Sequence, residues 1–169
     1  MRKASWISIA LIFVWPCGAW STVQPLEFKV KDDVLLAKAM EGGMSLTLPE
    51  FFVFTPTGTA IFHDKGFDTT FMNRLESAMH SSTPIEASVS LRDVFADVVR
   101  MDGSPTEQDI VASYDFVFVE YWADWCAPCH QQKRAVAQYF AENPDKKILW
   151  LYVRRDPTLL PGLSMQKTE

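Results

Sequence analysis

Cys126 and Cys129, three residues apart, are the side chains of this chain best suited to chemistry. A thiolate is a strong nucleophile and a soft metal ligand. The pair sits where two patterns meet. Phe116 to Val119 is an apolar run of aromatic and β-branched residues, which suits a strand buried on both faces. Directly after Cys129 a helical pattern runs through Gln131, Lys133, Ala135, Ala137 and Tyr139. Cys126 therefore falls near a helix N-terminus, where unpaired N–H groups and the positive dipole end favour a thiolate. Pro128 pre-sets the first helical turn and cannot donate a competing hydrogen bond. Glu120 stands six residues before Cys126, at the end of the apolar run. A carboxylate there is costly to bury unless it is paired or protonated.

Several chemistries share these residues. Cys126-Ala127-Pro128-Cys129-His130 satisfies the Cys-x-x-Cys-His pattern of covalent haem attachment. The strand directly before Trp125 and the proline between the cysteines argue against it. Copper(I) can take two thiolates, whereas structural zinc wants four ligands and no second cysteine pair exists. Neither a metal nor another cofactor is expected. His130 follows Cys129 and either adds positive charge or is a solvated helix residue, while His63 and His80 belong to no motif and read as surface residues.

Strand, Trp125, Cys126-Ala127-Pro128-Cys129 and helix together resemble the active site of the thioredoxin superfamily, and Tyr121-Trp122-Ala123-Asp124 looks like that family's approach to the motif. The resemblance implies an α/β, thioredoxin-like three-layer sandwich with a mixed central sheet. It implies a redox disulfide Cys126–Cys129, with Cys126 as nucleophile and Cys129 resolving the mixed disulfide. Glu120 takes the place of the family's buried acid, usually Asp, which exchanges a proton with the resolving cysteine. Trp125 is expected to pack beside the site. The resemblance also assigns Pro49 to the family's cis-proline position facing the cysteines, with Thr47 and Leu48 offering backbone groups to an extended substrate.

Hydrophobic residues make up 48% of the 169 residues, enough for one domain with a sizeable core. A net charge of −5 without a basic cluster argues against a nucleic-acid partner. Arg2 and Lys3, the apolar stretch Trp6 to Trp15 and small residues before Ser21 read as an export signal over residues 1–21. The stretch is about half the length of a spanning helix. Cys17 suggests a lipoprotein signal, but Pro16 precedes it where a small residue is wanted, and with the signal cleaved only the motif cysteines remain. A disulfide across so short a loop stabilises by only about 2 kcal/mol through chain entropy. In an oxidising compartment the pair therefore points to redox chemistry rather than stapling. The expectation is an exported thiol-disulfide oxidoreductase, periplasmic or secreted, leaning to reduction because alanine and proline between the cysteines resemble reductive members. Its partners would be protein disulfides and a recharging redox protein.

In order, Leu26 to Val30 is a strand candidate, and Asp33 caps a helix through Met40 that stops at Gly42-Gly43. Ser45 to Pro49 leads into the strand Phe51 to Phe54, and Thr55-Pro56-Thr57-Gly58 turns it into a hairpin with Ala60 to Phe62. Asp68 caps a helix with Phe71, Leu75, Ala78 and Met79 on one face. Ser90 caps another, with Leu91, Val94, Phe95 and Val98 at helical spacing. Ser104-Pro105-Thr106-Glu107 opens a short helix to Ser113. The redox helix runs to Glu142, Asn143-Pro144-Asp145 ends it, and Lys147 to Val153 is a last strand. The family's order is reversed here. Residues 22–80 resemble its C-terminal half and 86–156 its N-terminal redox half, with 157–169 a tail. The reading is a circularly permuted single domain over 22–156. A truncated redox domain fused to another segment, or halves exchanged between two chains, stays open. Both Leu26–Val30 and Lys147–Val153 compete for one central position.

Overall fold

The computed structural model describes residues 25–41, 47–87, 89–105 and 108–156. The expected signal with Cys17, the Gly42-Gly43 stop, Ser45, Leu46, Thr106, Glu107 and the tail lie outside the described residues. The architecture is α/β. Six strands, β1 (Leu26–Val30), β2 (Glu50–Phe54), β3 (Ala60–Lys65), β4 (Val98–Arg100), β5 (Phe116–Trp122) and β6 (Ile148–Arg154), form one mixed sheet in the order β3-β2-β5-β6-β1-β4. The described helices are α1 (Asp32–Met40), α2 (Phe71–Ser81), α3 (Leu91–Asp97) and α4 (Ala127–Glu142), with a 3-10 helix at Gln108–Ser113.

Side-chain alternation divides the core in two. Phe52, Phe54, Val117, Val119, Leu149, Leu151 and Val153 face Leu35 of α1, Leu91, Val94 and Phe95 of α3, and Val111 of the 3-10 helix. On the other face Phe51, Val53, Phe118, Ile148, Trp150 and Tyr152 meet Phe71, Leu75 and Met79 of α2 and Val136, Tyr139 and Phe140 of α4. The central strands are apolar on both sides because both sides are covered. Phe51 packs edge-on against Phe62, Phe71 and Phe118 at 6.3, 5.3 and 5.4 Å between ring centroids. Such contacts add about 0.5–1.5 kcal/mol each beyond burial, and here they join the hairpin and α2 to β5.

β5 runs parallel to β6, and β6 parallel to β1. β2 runs antiparallel to β5, pairing Glu50 with Tyr121 through Phe54 with Val117. Strands from both halves of the chain thus share one sheet. Of the two strands competing for one place, β6 lies against β5 and β1 lies outside it, itself covered by antiparallel β4.

β4 was not expected. Val98 fits the helical spacing, but it takes extended backbone as the C-cap of α3 and stays buried. It satisfies the same apolar face from either conformation, so the spacing could not separate the two. Two capping expectations are corrected. α1 starts at Asp32, so Asp33 lies in its first turn and accepts from the Val34 N–H at 3.0 Å. Asp68 is not the N-cap of α2, which is Thr70. Instead, Asp68 accepts from the Thr70 N–H and hydroxyl at 2.7 and 2.8 Å and shapes the turn before the helix. Ser90 does cap α3, in a reciprocal pair with Asp93. The partner strand of the hairpin runs on to Lys65, and Gly58, at φ +87°, closes the turn by donating to the Thr55 carbonyl at 2.9 Å.

Candidate active site

Cys126 is the N-cap of α4, and Pro128 lies in the first turn. The sulfurs of Cys126 and Cys129 are bonded, with Cα atoms 5.3 Å apart. The Cys126 sulfur accepts from the Cys129 N–H at 3.2 Å, one of the donors a helix start leaves free. Both cysteines are buried, Cys126 at 3% and Cys129 at 0% exposure, so Cys126 is the outer of the two by a narrow margin only.

The loop between β5 and α4 is fastened from several sides. The Cys126 N–H donates to the Ala123 carbonyl at 3.0 Å, and the Arg155 N–H to the Trp122 carbonyl at 2.7 Å. His130 Nε2 donates to the Asp124 carbonyl at 3.1 Å, and Arg154 is ion-paired with Asp124. The Trp125 indole N–H reaches Asp156 at 3.4 Å. Trp125 was expected to pack beside the site. It is 51% exposed, with its polar edge anchored and much of the indole in solvent next to Cys126.

Glu120 is fully buried, on the face of β5 that α4 covers, opposite to Val119 and Tyr121. Burial pushes its carboxyl well above the usual range; the Trp150 indole and the Lys133 ammonium pull the other way. Neither reaches hydrogen-bonding geometry, and both carboxylate oxygens lack a hydrogen-bond partner among the described residues. A carboxyl held this way is stable in its protonated form and is a proton acceptor of unusually high affinity.

Pro49 is buried at the start of β2, and the Leu48–Pro49 peptide is cis. Because β2 is antiparallel to β5, its first residues lie at the sheet edge where β5 ends and the cysteines begin. Leu48 packs partly into the core, while Thr47 is exposed at the rim. The Pro49 carbonyl accepts from the Gly66 N–H at 2.7 Å, with Gly66 at φ +84°.

The next residue, Glu50, locks this edge. Its carboxylate takes Arg155 Nη1 at 2.8 Å, His63 Nε2 at 3.1 Å and Lys65 Nζ at 3.4 Å. Burial raises the Glu50 carboxyl, but the Arg155 charge and hydrogen bond, with His63 and Lys65, more than offset this and hold it below its ordinary value. The Arg155 guanidinium lies over the Tyr121 ring at 4.7 Å. The structure thus corrects the surface reading of His63, which is half-buried, stacked on Phe52 at 4.2 Å. His80 is exposed.

No protein-family model, curated protein or solved structure matches this chain. The site therefore rests on its own geometry. Among the described residues, no cluster of three or more His, Cys, Asp or Glu side chains could hold a metal ion, and no helix is long and apolar enough to cross a membrane.

Sequence reasoning passed over Glu50, Arg155, Gln132, Lys133 and Tyr152. Gln132 carried a signal: it falls three residues after Cys129, on the sheet-facing stripe of α4, where an apolar residue is the rule. Arg155 gave none, since its partners come from β2 and β5.

Proposed function

We propose that this chain is a thiol-disulfide oxidoreductase of thioredoxin-like fold, with the two halves of that fold in circularly permuted order. The observation that carries the reading is a cysteine pair at the N-terminus of the helix that follows the central strand, with Leu48–Pro49 brought to the same sheet edge by the β2–β5 pairing. A buried acid on the strand beneath that helix adds to it.

In the reducing direction, the Cys126 thiolate attacks one sulfur of a client disulfide. The Cys126–client bond forms, and the other client sulfur leaves as a thiolate. Glu120 takes the proton of Cys129, whose thiolate attacks the Cys126 sulfur. The Cys126–Cys129 disulfide forms, the second client thiolate departs, and two electrons have passed to the client. A recharging dithiol protein then reverses these steps. The helix start stabilises the Cys126 thiolate as nucleophile and as leaving group. Thr47 and Leu48 would present backbone groups to an extended client segment, and exposed Trp125 a flat apolar surface beside the reacting sulfur.

We place the protein outside the cytoplasm on its N-terminal sequence, where a reductase with one cysteine pair must be resupplied with electrons by a partner. The test is reduction of a model protein disulfide by dithiothreitol with and without the chain, beside equilibration with glutathione. Catalysis lost in Cys126→Ser, and a potential nearer thioredoxin's about −270 mV than a strong oxidant's about −120 mV, support the reading. No catalysis in either direction refutes it. Two bound copper(I)-thiolate bonds or a Soret band in the purified protein would favour a metal or haem role.

A further inference from the structure

Arg155 lines a cavity of about 40 Å³ on the side of the sheet that α1 and α3 cover. Three contacts fix its guanidinium. The Arg155 backbone N–H donates to the Trp122 carbonyl at 2.7 Å, Nη1 donates to Glu50 Oε2 at 2.8 Å, and Cζ lies 4.7 Å from the centre of the Tyr121 ring. Nη1 is thus used, whereas Nε and Nη2 are not. Both are buried and lack a hydrogen-bond partner among the described residues. Together they form one edge of the planar guanidinium, a fork of two parallel donors that matches the two oxygens of a carboxylate. An unmade hydrogen bond costs most at a buried charged group, so this edge calls for an acceptor.

The acceptor does not come from the lining. Glu50 is already taken by Arg155, His63 and Lys65, and Asp97 by Lys38 at 3.0 Å. Lys38 and Asp97 cancel, while Arg155 and Lys65 outweigh Glu50 by one positive charge. A water molecule satisfies the fork without answering that charge; an anion does both. A water needs about 10–15 Å³ of such space, so the cavity takes about three or four heavy atoms, a carboxyl group with a short stem. Val30, Leu35, Phe52 and Val89 give the stem apolar walls. The way in lies at the Lys38–Asp97 pair, whose side chains are 50% and 32% exposed, while Phe52 and Tyr121 are buried.

We propose that this cavity is a carboxylate-binding site, in which the Nε–Nη2 edge of Arg155 holds both oxygens of a short-stemmed carboxylate. The ligand is a free monocarboxylate of acetate size or the side chain of an aspartate on a protein; the chemistry that recognises it is the same. Glu50 and Tyr121 hold the guanidinium in place beforehand, which lowers the ordering cost of binding. No covalent bond forms or breaks, and the site does not depend on the exchange chemistry at the cysteines.

Acetate is the probe, titrated into the whole oxidised chain at constant ionic strength made up with chloride. Heteronuclear NMR follows the arginine Nε–H signals, with Arg155 assigned by difference against Arg155→Lys. The Arg155 signal should shift and saturate while the other arginines stay in place. No shift, a shift that chloride alone reproduces, or one shared by all arginines would overturn the proposal. Saturation transfer from protein methyl groups to the acetate methyl then compares variants. Arg155→Lys keeps the charge but offers no fork and should weaken binding about tenfold, the loss of one of two charge-assisted hydrogen bonds. Val89→Phe leaves Arg155 and its partners in place, fills the cavity and should abolish the transfer. Binding at wild-type strength in either folded variant overturns the proposal too; if neither folds, the wild-type titration decides alone. Competition by N-acetyl-aspartyl amide assigns the site to a protein side chain, and its absence to a free monocarboxylate. A silent Arg155 signal in a protein that catalyses exchange sinks the site and spares the function; saturable binding in an inactive protein does the reverse.

Discussion

Glu120→Gln should make the protein more stable, and increasingly so as pH rises. The substitution keeps volume and removes one ionisable proton from a fully buried site. The sign follows from linkage. Burial raises the folded-state affinity of this carboxyl for its proton. Above the ordinary glutamate value of about 4.3, the unfolded chain has released that proton and the folded chain still holds it. Stability then falls with pH by 2.303RT for one proton, about 1.4 kcal/mol per pH unit. The fall ends once the folded-state carboxyl ionises. Glu120→Gln lacks the term, so the difference between the two proteins opens above pH ~4.3 and levels off at the folded-state value. Glu50 has the opposite sign, but it is common to both proteins and cancels. Urea unfolding of the oxidised proteins from pH 4 to 9, with equal m-values, reads the difference directly. A difference that stays flat across this range would show that Glu120 is not a buried, proton-retaining acid. Slower resolution of the mixed disulfide in the same variant near neutral pH is the matching kinetic outcome.

Glu50→Gln should act the other way and destabilise at neutral pH by about 2 kcal/mol, the scale of a charge-assisted hydrogen bond, because the largely buried Arg155 loses its counter-charge. Glu50 is held below its ordinary value, so the stability it contributes is present above pH ~4.3 and is lost as pH falls below that; a loss that does not shrink on acidification refutes the pairing. Alkylation of the reduced protein at mildly acid pH should label Cys126 before Cys129, since Cys126 caps α4 and Cys129 lies inside its first turn; peptide mapping that finds Cys129 first reverses the roles. Residues 22–82 and 84–169 expressed separately should each fail to unfold cooperatively, because parting β2 from β5 and β1 from β6 exposes unpaired strand edges at the centre of the sheet; two cooperative fragments would mean two domains.

Local chemistry made much of this protein legible from sequence. The Phe116 run, the helix start at Cys126 and the stop at Asn143 are set by neighbouring residues, and so is the reciprocal cap of Ser90 with Asp93. Glu120 stood out because a lone carboxylate in an apolar strand needs an explanation wherever it lies. What only the tertiary structure decided is which strands meet. Placing β6 against β5 and β1 outside it, and making Val98 start a strand, depends on backbone groups far apart in the chain, which carry no side-chain pattern of their own. The same holds for the buried charges. Arg155 reads as an ordinary exposed cation until β2 brings Glu50 beside Tyr121, and His63 as a surface residue until Phe52 and Glu50 flank it. Hydrophobic period is a property of a segment, whereas the ionisation of a buried group is a property of everything packed around it.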